Sequence, residues 1–352
     1  MKNALFLTGA AARISQEVAF IDKLQQYHGL EIKPEQTILA GLSSGALNIA
    51  AINACFRNEN PLSWDNYFKE TVLFNIHSKQ VFKYQKFFPF DTSPLRKTIS
   101  DFLTEAQMNS VKDFSFGTYV LVFSFLRFST IWVSNLFNHY QKIDLLDLMM
   151  ATTAIPILFP DQSIRNSHFQ HNKFTRGRFI DGGAGGSFKR FEHYLKKYAK
   201  QNNQLDKIYI ISPMREVTQS DYDELNKMIP SVDLIKMELK DIKLLKFFLE
   251  MISQNGFDTF IKRFYKWTQK HKIANEIFVC IPQMKSNYPI LNFNKQREQY
   301  QAVCDWIDQN PDKMAIPLNE YVKRFDKVPL QKLKVTMKRK LLHRLRSLGI
   351  NI

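Results

Sequence analysis

The chain has 352 residues, enough for one large domain or two small ones, and its 45% hydrophobic and 23% charged residues are the balance of a globular protein, which excludes a disordered or fibrous one. Its formal charge is +16, and ten lysines and arginines crowd between Lys323 and Arg346 beside one acid, Asp326, so an anionic partner is expected at that end. Three distant cysteines, Cys55, Cys280 and Cys304, match no zinc spacing and exclude a disulfide scaffold.

"NALFLTG" predicts a short buried strand that stops at Gly9. Its apolar run is interrupted by Thr8 and Gly9 too early for a signal peptide. Residues 15–27 predict a helix with Val18, Ile21 and Leu24 on one face. "QTILAGLSSGALNIAAINA" predicts a strand, a sharp turn and an alanine-rich helix. In "DTSPLRKTISDFL", Ser93 is the expected N-cap and Pro94 the first helical residue. Phe114–Phe137 carries one charge, Arg127, but splits into "YVLVFSF" and "STIWVSN", which predicts a hairpin rather than a membrane span. A helix near 144–151 and "IPILFP" follow, and "RFIDGG" reads as a strand end with a tight turn. "KIYIISP" and "EIFVCIP" are two further buried strands.

Between those two strands, about Asp233–Lys272 predicts helix. Its "FDTFIKRFYKWTQKHK" reads either as a core-packing helix with a solvated basic face or as an interfacial helix that touches lipid. In the tail, Leu330, Leu333, Met337, Leu341, Leu345 and Leu348 recur at helical steps among lysines and arginines. This basic amphipathic helix either docks on the body or lies on an anionic membrane. No nucleic-acid module accompanies the charge, so nucleic acid is not expected as a partner and a lipid surface is the more economical one. Strands alternating with helices predict an α/β fold, a mostly parallel central sheet with helices on both faces.

The chemistry centres on Gly41–Gly45, a G-x-S-x-G between predicted strand and helix. Such an elbow exposes the oxygen of its central serine, here Ser43, and aims the next backbone N–H, that of Ser44, at the substrate. Gly41 and Gly45 are expected where side chains would strike neighbouring backbone. Of eight histidines, His139, His168, His171 and His193 lack distinguishing context, and His271 and His343 lie in lysine- and arginine-rich segments, so a Ser-His-Asp triad is a poor fit. Asp181, before Gly182 and Gly183, reads either as part of a plain turn or as a base on the rim at the carboxyl end of a strand. Burial would raise its pKa and suit it to take a proton from Ser43.

Taken together these segments resemble the patatin-like phospholipase family. Gly41–Gly45 is similar to its nucleophile motif and Asp181-Gly182-Gly183 to its D-G-G motif. "ATTAIPILFP" (Ala151–Pro160) is similar to a family stretch that has serine where this chain has Thr152, and "DTSPLR" (Asp91–Arg96) also looks like the family. The pieces cover about residues 4–215. The resemblance implies a three-layer α/β/α acyl-hydrolase domain over 1–322, with a helical insertion near 220–275 and the basic tail at 323–352. It implies hydrolysis of phospholipid or another lipid ester through an acyl-serine, by a Ser43–Asp181 dyad, with no metal and no cofactor. A cytoplasmic protein held peripherally at a membrane is the accompanying expectation. The family's oxyanion loop, G-G-G-x-R-G, falls on Gly9, Ala10, Ala11, Ala12, Arg13 and Ile14. Alanine keeps the N–H donors but resists positive φ, so the hole needs Ala10 and Ala11 at ordinary φ. Ser44 would supply another N–H, and Arg13 either steadies the loop or attracts an anionic headgroup. The alternative is a catalytically weak or inactive relative that serves as a membrane- or protein-binding module.

Overall fold

Short runs of β-branched and aliphatic residues build the sheet, and the strands read from the sequence all form. The computed structural model describes residues 3–34, 36–57, 59–85, 89–111, 117–124, 127–135, 138–156, 158–165, 178–185, 191–192, 195–196, 205–213, 257–283 and 288–324. Among these, β1 (Asn3–Leu7), β2 (Ile38–Gly41), β3 (Gly117–Ser124), β4 (Arg127–Ser134), β5 (Gln162–Ser163), β6 (Arg178–Asp181), β7 (Leu205–Ile211), β8 (Ala274–Cys280) and β9 (Ile316–Pro317) form one sheet. Its order is β5-β6-β3-β2-β1-β7-β8-β9, with β4 paired to β3. The central run from β3 to β8 is parallel throughout, and the antiparallel partners β4, β6, β5 and β9 lie outside it. The apolar segment with Arg127 is the β3–β4 hairpin, not a membrane helix. Among the described residues, no helix is long and apolar enough to cross a membrane.

Alternation along the strands divides the core in two. Leu5, Leu7, Leu39, Tyr209 and Ile211 face one apolar cluster, while Ala4, Phe6, Ile38, Ala40, Ile208 and Ile210 face the other. The first face is covered by α1 (Ile14–His28), α2 (Ser44–Phe56), α4 (Ser93–Glu105), α5 (Leu145–Thr152) and α7 (Gln296–Gln309), with the short α3 (Ser78–Val81) beside α4. The second is covered by α6 (257–268) and α8 (Leu318–Lys323). A sheet buried on both faces explains the near-continuous apolar runs of the parallel strands. On α6, Phe257, Phe260, Ile261 and Phe264 are fully buried against Phe6 and their own neighbours, while Lys266, and Lys270 just beyond the helix, are exposed. The aromatic residues of "FDTFIKRFYKWTQKHK" therefore make core, and its basic residues make a solvated face. The rest of the 233–272 stretch, and the tail from 325 on, lie outside the described residues.

One helix start shifts by a residue. Ser93 is already the first residue of α4 rather than its cap. Thr92 is the N-cap and its side chain makes no capping bond; Asp91, one residue further out, serves the helix end instead, its Oδ1 accepting the Ser93 amide at 2.8 Å and its Oδ2 the Ser93 hydroxyl at 2.9 Å. An aspartate two residues upstream offers both oxygens, which the Ser93 hydroxyl cannot.

Candidate active site

β2 runs straight into α2 through Leu42 and Ser43, leaving the chain no room for an ordinary turn. Ser43 adopts φ 52°, ψ −135°, a conformation costly for a side-chain-bearing residue, about 1–3 kcal/mol. The flanking glycines make that approach possible. A Cβ on Gly41 would stand 2.5 Å from the Gly45 carbonyl oxygen, and one on Gly45 would stand 2.5 Å from that of Leu7. The Ser43 amide donates to Thr152 Oγ1 at 3.2 Å, so the far end of α5 steadies the elbow.

Asp181 closes β6, is 5% exposed, and lies beside Ser43, whose side chain acts on its carboxyl. Its Oδ1 also accepts the Gly183 amide at 2.8 Å. Burial raises its pKa from the usual aspartate range to about 6, with the Ser43 and Gly183 hydrogen bonds pulling the other way. The route to this position differs from the sequence expectation. β6 is antiparallel to β3, so its carboxyl end points opposite to those of the parallel strands. It still reaches Ser43 because β3 is displaced along the sheet: Thr118, near its start, pairs with the last residue of β2, and Val120 pairs with Asp181.

The segment Ala151–Pro160 is the strut between the two residues. Thr152 holds Ser43, and two residues later the Ala154 carbonyl accepts the Asp181 amide at 2.9 Å. α5 is itself anchored by Asp147, a buried carboxylate paired with Arg96 of α4 and accepting the Arg165 amide. Asp91 and Arg96 thus organise the helix that positions the strut.

The loop after β1 lies against the elbow: a Cβ on Gly9 would come within 3.0 Å of the Ser44 amide nitrogen, and Gly9 itself sits at φ +66°. Ala10 is extended at φ −160°, which alanine adopts freely, but Ala11 sits at φ 48°. Of the two substituted positions, only Ala10 has the ordinary φ that the loop was expected to need. The amides are not equivalent either. Gly9 N–H donates to Glu17 Oε1 at 2.8 Å, Ala10 N–H to Ser44 Oγ at 3.0 Å, and Ala12 N–H to the Ile290 carbonyl at 2.9 Å. Among the described residues, no acceptor takes the N–H of Ala11 or of Ser44. Arg13 is buried, 1% exposed, with Nε donating to the Tyr288 carbonyl at 2.7 Å. Its side chain is turned into the fold rather than exposed to headgroups.

Three histidines sit elsewhere: His28 meets Tyr209 and Phe278 edge-on, His77 caps α3, and His271 lies against Trp267. His168, His171, His193 and His343 lie outside the described residues. Among the described residues, no cluster of three His, Cys, Asp or Glu could hold a metal ion. Sequence reasoning missed Glu17 and Asn48, which meet beneath the loop. The available signal was an acid in the apolar stripe of α1, four residues before Ile21.

A family model described as patatin-like phospholipase matches residues 5–188. No curated protein matches the chain significantly.

Proposed function

The chain belongs to the patatin-like phospholipase family, whose members are generally lipid acyl hydrolases with a serine nucleophile, and on that premise we propose that it cleaves carboxylic esters of lipids at a membrane surface with Ser43 as nucleophile and Asp181 as its only base. The observation that carries the reading is the strained Ser43 elbow beside the buried Asp181 carboxyl, whose burial-raised pKa the Ser43 side chain pulls down. Ser43 Oγ attacks the ester carbonyl carbon while its proton passes to Asp181. The carbonyl oxygen becomes an oxyanion, which the Ala11 and Ser44 N–H groups, taken by no acceptor among the described residues, receive. Collapse expels the alcohol, which takes the proton from Asp181, and leaves an acyl-serine. Water, deprotonated by Asp181, then releases the fatty acid and restores Ser43. A pKa near 6 leaves Asp181 mostly ionised at neutral pH yet more basic than an exposed aspartate.

A fluorophosphonate probe tests this: wild type is expected to be labelled and Ser43→Ala not, with lipid product analysis of the pair identifying the bond cut. Absence of Ser43-dependent labelling overturns the hydrolase reading. It would favour the second one, an inactive binding module, which Ala11 at φ 48° and the engagement of the Ala10 amide by Ser44 support. The basic segment 323–352 is the proposed contact to anionic lipid. Truncating it is expected to abolish sedimentation with anionic liposomes while leaving hydrolysis of a water-soluble ester unchanged. Equal binding to neutral vesicles removes the electrostatic contact.

A further inference from the structure

The loop from Gly9 to Arg13 contains a non-glycine residue at positive φ, and such a conformation persists only when its surroundings over-determine it. Several tethers are backbone or neutral side-chain contacts: Ala12 N–H to Ile290, Ala12 carbonyl to Gln296 and Gln299, and Ala10 N–H to Ser44. Arg13, at the end of the loop, donates to the Tyr288 carbonyl. A further tether is an acid. Glu17, fully buried in the first turn of α1, accepts Gly9 N–H with Oε1 and Asn48 Nδ2 with Oε2, each at 2.8 Å. Asn48 lies one turn after Ser44 on α2 and also donates to the Ile14 carbonyl at 3.0 Å. One carboxyl group therefore links the loop, α1 and the nucleophile helix.

We propose that Glu17 is a positioning residue for the loop after β1: its carboxyl oxygen fixes the Gly9 amide, and with it the path of the loop through Ala10 and Ala11 beside the Ser43 elbow. The proposal rests on the assignment of Ser43 as nucleophile for its catalytic consequence, and on geometry alone for the clamp. What matters is reach rather than charge. Burial pushes the Glu17 pKa up to about 8, so at neutral pH the group is largely a neutral acid that still offers an acceptor. Glutamine keeps that reach. Its Nε2 would meet the Asn48 amide, whose Oδ1 can accept it after a flip that gives up the Asn48 bond to the Ile14 carbonyl but leaves the Gly9 clamp in place. Aspartate keeps the carboxyl but is a methylene too short.

Three variants test this, Glu17→Leu, Glu17→Asp and Glu17→Gln, with two readouts. Hydrogen exchange over residues 8–14 is expected to quicken by about tenfold or more in Leu and Asp and to stay near wild type in Gln, while α2 is unchanged. kcat on a soluble ester, and the rate of Ser43 phosphonylation, are expected to fall ~10²-fold in Leu and Asp with KM within about threefold, and to recover in Gln. If Leu does not fold, the Asp-against-Gln contrast decides. Unchanged loop exchange in Asp, or a Gln variant no better than Asp, overturns the clamp. Quickened exchange with unchanged phosphonylation overturns its catalytic role. If wild type is not labelled at all, the hydrolase reading falls, and the exchange data still judge the clamp.

Discussion

Two corners of the site carry a side-chain-bearing residue at almost the same positive φ, Ser43 at 52° and Ala11 at 48°, and they are held there by different means. The elbow is imposed by backbone against backbone. Gly41 and Gly45 remove the only atoms that could keep β1, β2 and α2 apart, and Ser43 has no other way through. The loop after β1 has alanine at two positions where glycine would ease its path, and it is held by side chains from α1, α2 and α7. Steric enforcement is all-or-none, whereas a hydrogen-bonded clamp can be loosened by degrees. The elbow should therefore fail abruptly and the loop gradually.

The largest expected effect lies in the chemistry of the elbow. Ser43→Ala and Asp181→Asn should each lower ester hydrolysis by about 10³ or more, and the double variant should lose little beyond either alone, because the two act as one unit. Additive losses would separate them. Next comes Gly45→Ala: with Leu7 O 2.5 Å from the new methyl, it should destabilise by about 1–3 kcal/mol in denaturant titration and lose Ser43 labelling. A normally folded, fully labelled Gly45→Ala would break the steric half of the contrast. A smaller effect comes from pH. Asp181 must be ionised to take the proton, so kcat/KM should fall tenfold per unit below about 6 and level off above. A limb near the ordinary aspartate range would show that burial does not set its basicity. The smallest is Ala11→Gly. Relief of a left-handed alanine and the extra unfolded-state freedom of glycine nearly cancel, so stability should move by less than about 0.5 kcal/mol and activity by no more than a few-fold. A tenfold change in either direction would mean that the loop is as rigidly imposed as the elbow.

Legibility followed the range of the interactions. The elbow was plain because strand, serine, glycines and helix are contiguous, and the hairpin because two strand-like runs meet around the single charge, Arg127. The core role of α6 and the capping by Asp91 were partly legible: residue types were clear, but whether the aromatics met core or lipid, and which residue capped, depended on neighbours. Glu17 was missed because nothing within α1 reveals that its acid lies beneath a loop and beside Asn48 of another helix.

By itself the sequence determined the alternation of buried strands and amphipathic helices, the strained serine between them, and a carboxylate at a strand end, because each is a property of consecutive residues. Only the tertiary structure decided that an aspartate on an antiparallel strand reaches the serine. It depends on the displacement of β3 against β2 and on the strut from Thr152 to Ala154, which no local pattern encodes. The same holds for the loop amides: whether an N–H is free or engaged depends on side chains brought in from elsewhere in the chain.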